Sequence, residues 1–214
     1  MSRSSTLTLV LAFVATLAPA VPALAQEERP ASPRGQAATQ VAGEWVTEEN
    51  GRTRYQGGQW VEIDYGRPIL RGREEIFGSG DDYGVRVTAG APVWRAGANQ
   101  TTRLWTEAPI VIGGSRLEPG EYSLFVDLAG GEWTLVVSEQ PYQESYDPES
   151  EGATWGAYGY DPSHDVARAE MGVETLDHSI DQFTISFEKT PTGTDMVFAW
   201  ETTEVRVPLA AAGG

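Results

Sequence analysis

Short runs of alternating apolar and polar residues, cut every few positions by glycine or proline, constrain this chain more than any other feature. In Trp60-Val61-Glu62-Ile63-Asp64-Tyr65, the side chains of Val61, Ile63 and Tyr65 fall on one side and Glu62 and Asp64 on the other. That is the period of a half-buried strand. Pro109 to Ile112 is a compact apolar run ended by Gly113-Gly114, and Glu121–Leu128 and Glu132–Val137 flank the hairpin signal Ala129-Gly130-Gly131. Phe183, Ile185 and Phe187 alternate with polar residues, and after a Pro-Thr-Gly-Thr turn come Met196–Trp200 and Glu204–Leu209. Together these three segments predict a three-stranded antiparallel meander. No long stretch carries the helical period. A turn or two within Ser163–Met171, after the start signal Asp161-Pro162-Ser163, is the strongest helical candidate. The expectation is an all-β fold, an antiparallel two-sheet sandwich or jelly roll with at most one short helical turn.

The ends of the chain read differently from its middle. Arg3, the apolar run Leu7–Leu17 and the small-x-small motif Ala23-Leu24-Ala25 have the form of a secretory signal peptide spanning residues 1–25. The run is shorter than the ~20 residues of a membrane span, and Pro19 and Pro22 interrupt its end. Residues 26–42, rich in Pro, Ala and Gln, read as a flexible leader, residues 43–209 as a single β-sandwich domain, and 210–214 as a disordered tail. The chain has no cysteine, which excludes disulfides, thiolate metal sites, iron–sulfur clusters, a cysteine nucleophile and a lipid-anchor cysteine. The expected location is therefore periplasmic or secreted, without a lipid anchor or a membrane span. With 15 basic and 31 acidic residues, the formal charge of −16 argues against a nucleic-acid partner.

Charge is unevenly spread. Nine arginines stand against seven acids between residues 52 and 116, and eleven acids against Arg168 alone between 139 and 181. Arginine suits bidentate pairing with carboxylates and phosphates. One reading is an anion-recognising face of Arg67, Arg73 and Arg95 beside Tyr65, Trp94 and Asn99. The other has these arginines pairing with the acidic segment to hold the fold. Tyr142–Tyr160 lacks Val, Ile, Leu and Met but holds Tyr142, Tyr146, Trp155, Tyr158 and Tyr160. Its aromatics, Trp155 and Tyr158 among them, either stack on sugar rings or fold back to cap the core. Asp165 and Arg168, three residues apart, would share a face on a helical turn. Arg168 is expected to turn inward there to meet carboxylates. His164 and His178 are the only histidines. They supply too few ligands for zinc, and the acidic pairs do not match a calcium loop, so no metal and no cofactor is expected. No Gly-x-Ser-x-Gly elbow occurs, and nothing singles out a catalytic residue.

Several motifs occur in a specific order: Ile63-Asp64-Tyr65-Gly66-Arg67-Pro68, Arg71-Gly72-Arg73, Ile76-Phe77-Gly78 and Val93-Trp94-Arg95-Ala96-Gly97-Ala98-Asn99. Thr102, Gly113, Leu117-x-Pro119-Gly120-x-Tyr122, Trp133, Trp155-Gly156 with Tyr158, Asp165-x-x-Arg168 and Trp200-Glu201 complete the series. Over about 60–208 the chain resembles the bacterial exported family catalogued as domain of unknown function 2911. The resemblance implies an exported all-β domain and supplies no reaction, cofactor or active site. The function expected is a non-catalytic binding module for a carbohydrate or a small anionic ligand. Its candidate residues are Tyr65, Arg67, Arg73, Trp94, Arg95, Asn99, Trp155, Tyr158, Asp165 and Arg168. The alternatives are an envelope-associated structural protein and a hydrolase with a carboxylate pair.

Overall fold

The computed structural model describes residues 31–191 and 193–213, so the signal-peptide reading and residues 26–30 of the leader lie outside the described residues. Strands dominate, at 54% of the described residues. A six-stranded antiparallel sheet has the order β1 (Arg34–Val41), β4 (Gln59–Gly66), β5 (Thr102–Thr106), β8 (Gly120–Asp127), β9 (Thr134–Ser138) and β10 (Asp165–Glu170). Facing it is a four-stranded sheet of β11 (Gly172–Thr190), β12 (Gly193–Ala211), β6 (Ile110–Ile112) and β7 (Ser115–Leu117). A two-stranded ribbon, β2 (Glu44–Thr47) with β3 (Thr53–Gln56), stands apart from both. Among the described residues the one α-helix, α1, is a single turn at Val85–Thr88.

The alternation seen in sequence becomes the core. Val61, Ile63 and Tyr65 of β4 are buried, in register with Thr106 and Leu104 of β5, and Leu104 lies opposite Tyr122 of β8. On the other side, Ile110, Ile112, Phe183, Ile185, Met196, Phe198, Val205 and Val207 complete the same cluster. A smaller cluster of Val93, Phe125, Val136 and Ala157 lies on the outward side of β8 and β9. It forms because Phe125 and Val136 alternate out of phase with the main core.

Four boundaries differ from the sequence reading. Residues 34–41 are not leader: β1 pairs along its whole length with β4, from Arg34 opposite Gly66 to Val41 opposite Gln59. Its buried side chains are Ala37, Thr39 and Val41, too small and polar to announce a strand. At the other end, Ala210 and Ala211 pair with Val111 and Ile110 rather than forming a tail. The meander is a two-stranded hairpin, because Met196–Leu209 is one continuous strand. A left-handed Glu201 (φ 54°) bends it, and the register slips twice, between Thr175 and Ile180 and again between Ile180 and Thr184. Lastly, the helical candidate reduces to a 3-10 turn at Pro162–His164, capped by Asp161, and then runs into β10.

Polar struts tie the sheets together. The Tyr65 hydroxyl accepts from the Ile185 N–H (2.9 Å) and donates to the Ile185 carbonyl (3.3 Å). Beside it, Arg67 donates to the Phe183 carbonyl (3.2 Å) and to Thr184 Oγ1 (3.0 Å). Removing a partner from a buried backbone group costs about 1–3 kcal/mol, so Tyr65→Phe is expected to lower the melting temperature by roughly 2–10 °C. Differential scanning calorimetry checks this. An unchanged temperature would mean that the hydroxyl carries no load.

Candidate functional site

Where the segment after β4, the turn of α1 and the loop before β5 meet, they leave a shallow depression of about 270 Å³. Its floor is aromatic. Trp94, 1% exposed, lies nearly parallel to Trp200 with ring centroids 6.3 Å apart. The edges of Phe77 and Phe183 meet Trp94 at 5.7 and 5.1 Å. The Trp94 indole N–H donates to the Gly97 carbonyl (3.3 Å), and its backbone bridges to Val126 of β8. A β-carbon at Gly66 would run into the Ala98 carbonyl, so glycine there lets loop 94–99 close against the end of β4.

Three arginines rim this floor: Arg73, Arg86 and Arg95. Arg73 donates to the carbonyls of Leu70 (2.9 Å) and Ile69 (2.8 Å), Arg86 to that of Glu74 (3.2 Å) and Arg95 to that of Asn99 (2.8 Å). Among the described residues, none of the three comes within 4.0 Å of a carboxylate oxygen. Arg95 is half-buried, its guanidinium 5.7 Å from the Tyr158 ring centroid. Burial depresses its pKa, against an opposing effect of the Tyr158 phenol. Gly156 (φ 62°) makes room, since a β-carbon there would strike the guanidinium.

Arg73, Trp94, Arg95 and Asn99 thus meet in one place, although Trp94 is floor rather than contact surface. Arg86 escaped sequence reading because only the turn of α1 brings it to the rim. The other candidates lie elsewhere. Tyr65 and Arg67 are the struts described above. Tyr158, 51% exposed, flanks Arg95. Trp155 is half-buried and bridges to Tyr158 through the backbone.

The acidic aromatic loop folds back on the outer face of the large sheet. Tyr160 meets Phe125 edge-on at 5.0 Å, and buried Gln140 holds the carbonyls of Gly152 (3.3 Å) and Gly159 (2.7 Å) and the Asp161 N–H (2.8 Å). The arginines of the first half do not pair with this loop's acids. Arg103 instead meets Asp64 (3.4 Å), Glu121 (3.1 Å) and the Tyr142 hydroxyl. It helps to line a second cavity, of about 200 Å³, with Arg34, Asp64 and Gln100. Asp64 and Glu121 already neutralise the Arg103 charge there.

Asp165 and Arg168 do share a face, but on a strand: a bulge between Asp165 and Ala167 removes one step of the alternation. Arg168 is half-exposed, its side chain 42% accessible, and pairs with Asp165 (2.9 Å) and Asp127 rather than turning inward. Tyr160 donates to Asp165 Oδ2 (2.7 Å), while Asp165 Oδ1 is buried without a partner. Among the described residues, no group of three or more His, Asp or Glu side chains is placed to hold a metal ion, and no helix is long and apolar enough to cross a membrane.

Residues 48–209 match the family model described as a protein of unknown function, DUF2911. The chain belongs to that family. No curated protein and no solved structure matches it. For this DUF2911 protein the geometry is therefore the only guide to chemistry.

Burial, followed by the hydrogen bond to Asp165, pushes the Tyr160 phenol up to about 12. A folded pKa above the unfolded value of about 10 means that the stability tied to the neutral phenol is full below pH 10. It is lost as pH rises toward 12. Tyr160→Phe should flatten the fall in melting temperature between those pH values. An alkaline limb as steep as the parent's would show that other groups set it.

Proposed function

We propose that this protein is an exported, non-catalytic binding module whose Arg73–Arg86–Arg95 depression takes a small anionic ligand, a carboxylate or phosphate ester. The observation that carries the reading is the set of three guanidinium groups around one aromatic floor, each steadied by main-chain carbonyls and none neutralised by a carboxylate among the described residues. Guanidinium groups gathered without counter-ions repel one another, and an anion offering two acceptor oxygens relieves that repulsion through charge-assisted bonds. Ser32 and Asn99 add neutral polar groups to the wall. The cavity has room for a small polar molecule and not for a drug-sized one.

The same lining is the ground for proposing binding without turnover. Among the described residues, no Asp, Glu or His lines the depression, and an arginine does not release its proton near neutral pH. An anion held there meets charge and hydrogen-bond donors but no general base. Export is proposed on the signal-like segment 1–25 and the family resemblance.

Thermal shift with inorganic phosphate, sugar phosphates, citrate and uronic acids tests the reading. A ligand at 100 times its Kd adds ~2.7 kcal/mol, a rise of roughly 5–10 °C for a domain of this size. Arg73→Gln and Arg86→Gln, at exposed positions, should each weaken binding about tenfold, ~1.4 kcal/mol, and leave the unliganded melting temperature within ~2 °C. No shift with any of these anions overturns the proposal.

A further inference from the structure

The other end of β4 carries a second feature, of different chemistry. There the end of β1, the β2–β3 ribbon, the start of β4, the β11–β12 turn and the end of β12 enclose a groove of about 810 Å³. Large side chains on the ribbon and the β4 start would ordinarily be covered. Instead Trp45 is 72% and Trp60 42% exposed. Tyr55 stands beside Trp45, ring centroids 5.4 Å apart and tilted by 58°. It is fixed there because its hydroxyl accepts the Gly43 N–H at 2.8 Å.

Among the described residues the groove contains neither Asp nor Glu, although the chain has 31 of them. The one charged residue among its described lining is Lys189, the sole lysine of the chain. The Lys189 ammonium lies 6.0 Å from the Tyr55 ring centroid and donates to the Gln40 carbonyl (2.8 Å) and to Thr194 Oγ1 (3.1 Å). An ammonium has a further N–H to give. Among the described residues, no carboxylate lies within 4.0 Å of it.

We propose that this groove binds an acidic oligosaccharide, with pyranose rings stacked on Trp45 and Trp60 and a uronate carboxylate on Lys189. Three features select that occupant. The exposed apolar surface includes flat indole and phenol faces, which match the C–H face of a sugar ring and tolerate the hydroxyls at its edge. The groove is several times larger than the anion depression, so it accommodates more than one ring. The only charge among its described lining residues is positive, in a chain of net charge −16. At physiological ionic strength the remaining acids are screened over ~8 Å, so the local cation decides which charge is drawn in. The site is independent of the arginine depression.

Titration calorimetry on the mature protein tests it, with oligomers of galacturonate, mannuronate and glucuronate-containing chains, each beside its carboxyl-reduced neutral form. At least one acidic oligomer is expected to bind, about tenfold or more tighter than its neutral form. Trp45→Ala and Trp60→Ala should each weaken it at least tenfold. Lys189→Gln should remove the preference for acid while leaving the neutral form's affinity unchanged. Trp45 is too exposed for its loss to unfold the domain, and an unchanged melting temperature verifies that. Arg73→Gln should leave oligomer binding intact, which separates this site from the depression. The inference is overturned if no acidic oligomer binds, if the neutral forms bind equally well, or if the tryptophan variants bind like the parent. It is equally overturned if sedimentation shows Trp45 buried in a dimer.

Discussion

Edge-on and stacked contacts among Trp94, Trp200, Phe77, Phe183 and Trp133 hold the molecule together where its secondary structure alone would not. Apart from isolated bridges at Ile69 and Trp94, the stretch from Pro68 to Thr101 contains only a 3-10 turn and one turn of α-helix, so backbone pairing alone orders little of it. It is ordered because Phe77 and Trp94 insert between a strand of each sheet: Trp200 belongs to β12, and Trp94 bridges to β8. Such pairs add about 0.5–1.5 kcal/mol each beyond the area they bury. The rim arginines therefore sit on rigid ground even though Arg73 and Arg95 belong to loops and Arg86 to a single helical turn.

The same long connection also closes an edge. β11 is the outermost strand of its sheet and would present unpaired donors and acceptors. Ile69 bridges to Gln182, Leu70 N–H reaches the Asp181 carbonyl (2.7 Å), Phe183 N–H reaches the Pro68 carbonyl (2.9 Å), and Tyr65 takes Ile185. A segment that is irregular by dihedral angle thus behaves as a partial extra strand. The two sheets are joined through these bonds as well as through the core.

Much of this was legible in sequence, and what was not has physical reasons. Val61, Ile63 and Tyr65 declared β4 because large apolar side chains alternated with acids. β1 hid because Ala37 and Thr39 bury little area, and it is a strand only because β4 offers it an edge. Arg95 and Asn99 were found together because loop 94–99 is tight and keeps sequence neighbours adjacent. Arg86 depended on the path of the chain through α1, which no local pattern encodes. Asp165 and Arg168 show how a correct geometric expectation can rest on the wrong element, since a bulge reproduces the spacing of a helical turn. Trp45, Tyr55 and Lys189 come together only through the pairing of β2 with β3 and of β11 with β12, and their meeting could not be read from alternation.

Ser32 forms part of the wall of the arginine depression, and its carbonyl accepts from the Asn99 side chain at 3.4 Å. It lies two residues before β1, outside every strand. The wall of the pocket is thus completed by residues that lie just ahead of the first strand. Trimming the chain back beyond Ser32 would spare every strand and still open the pocket on one side. Preparations that differ only in a ragged amino terminus would then fold alike and bind differently.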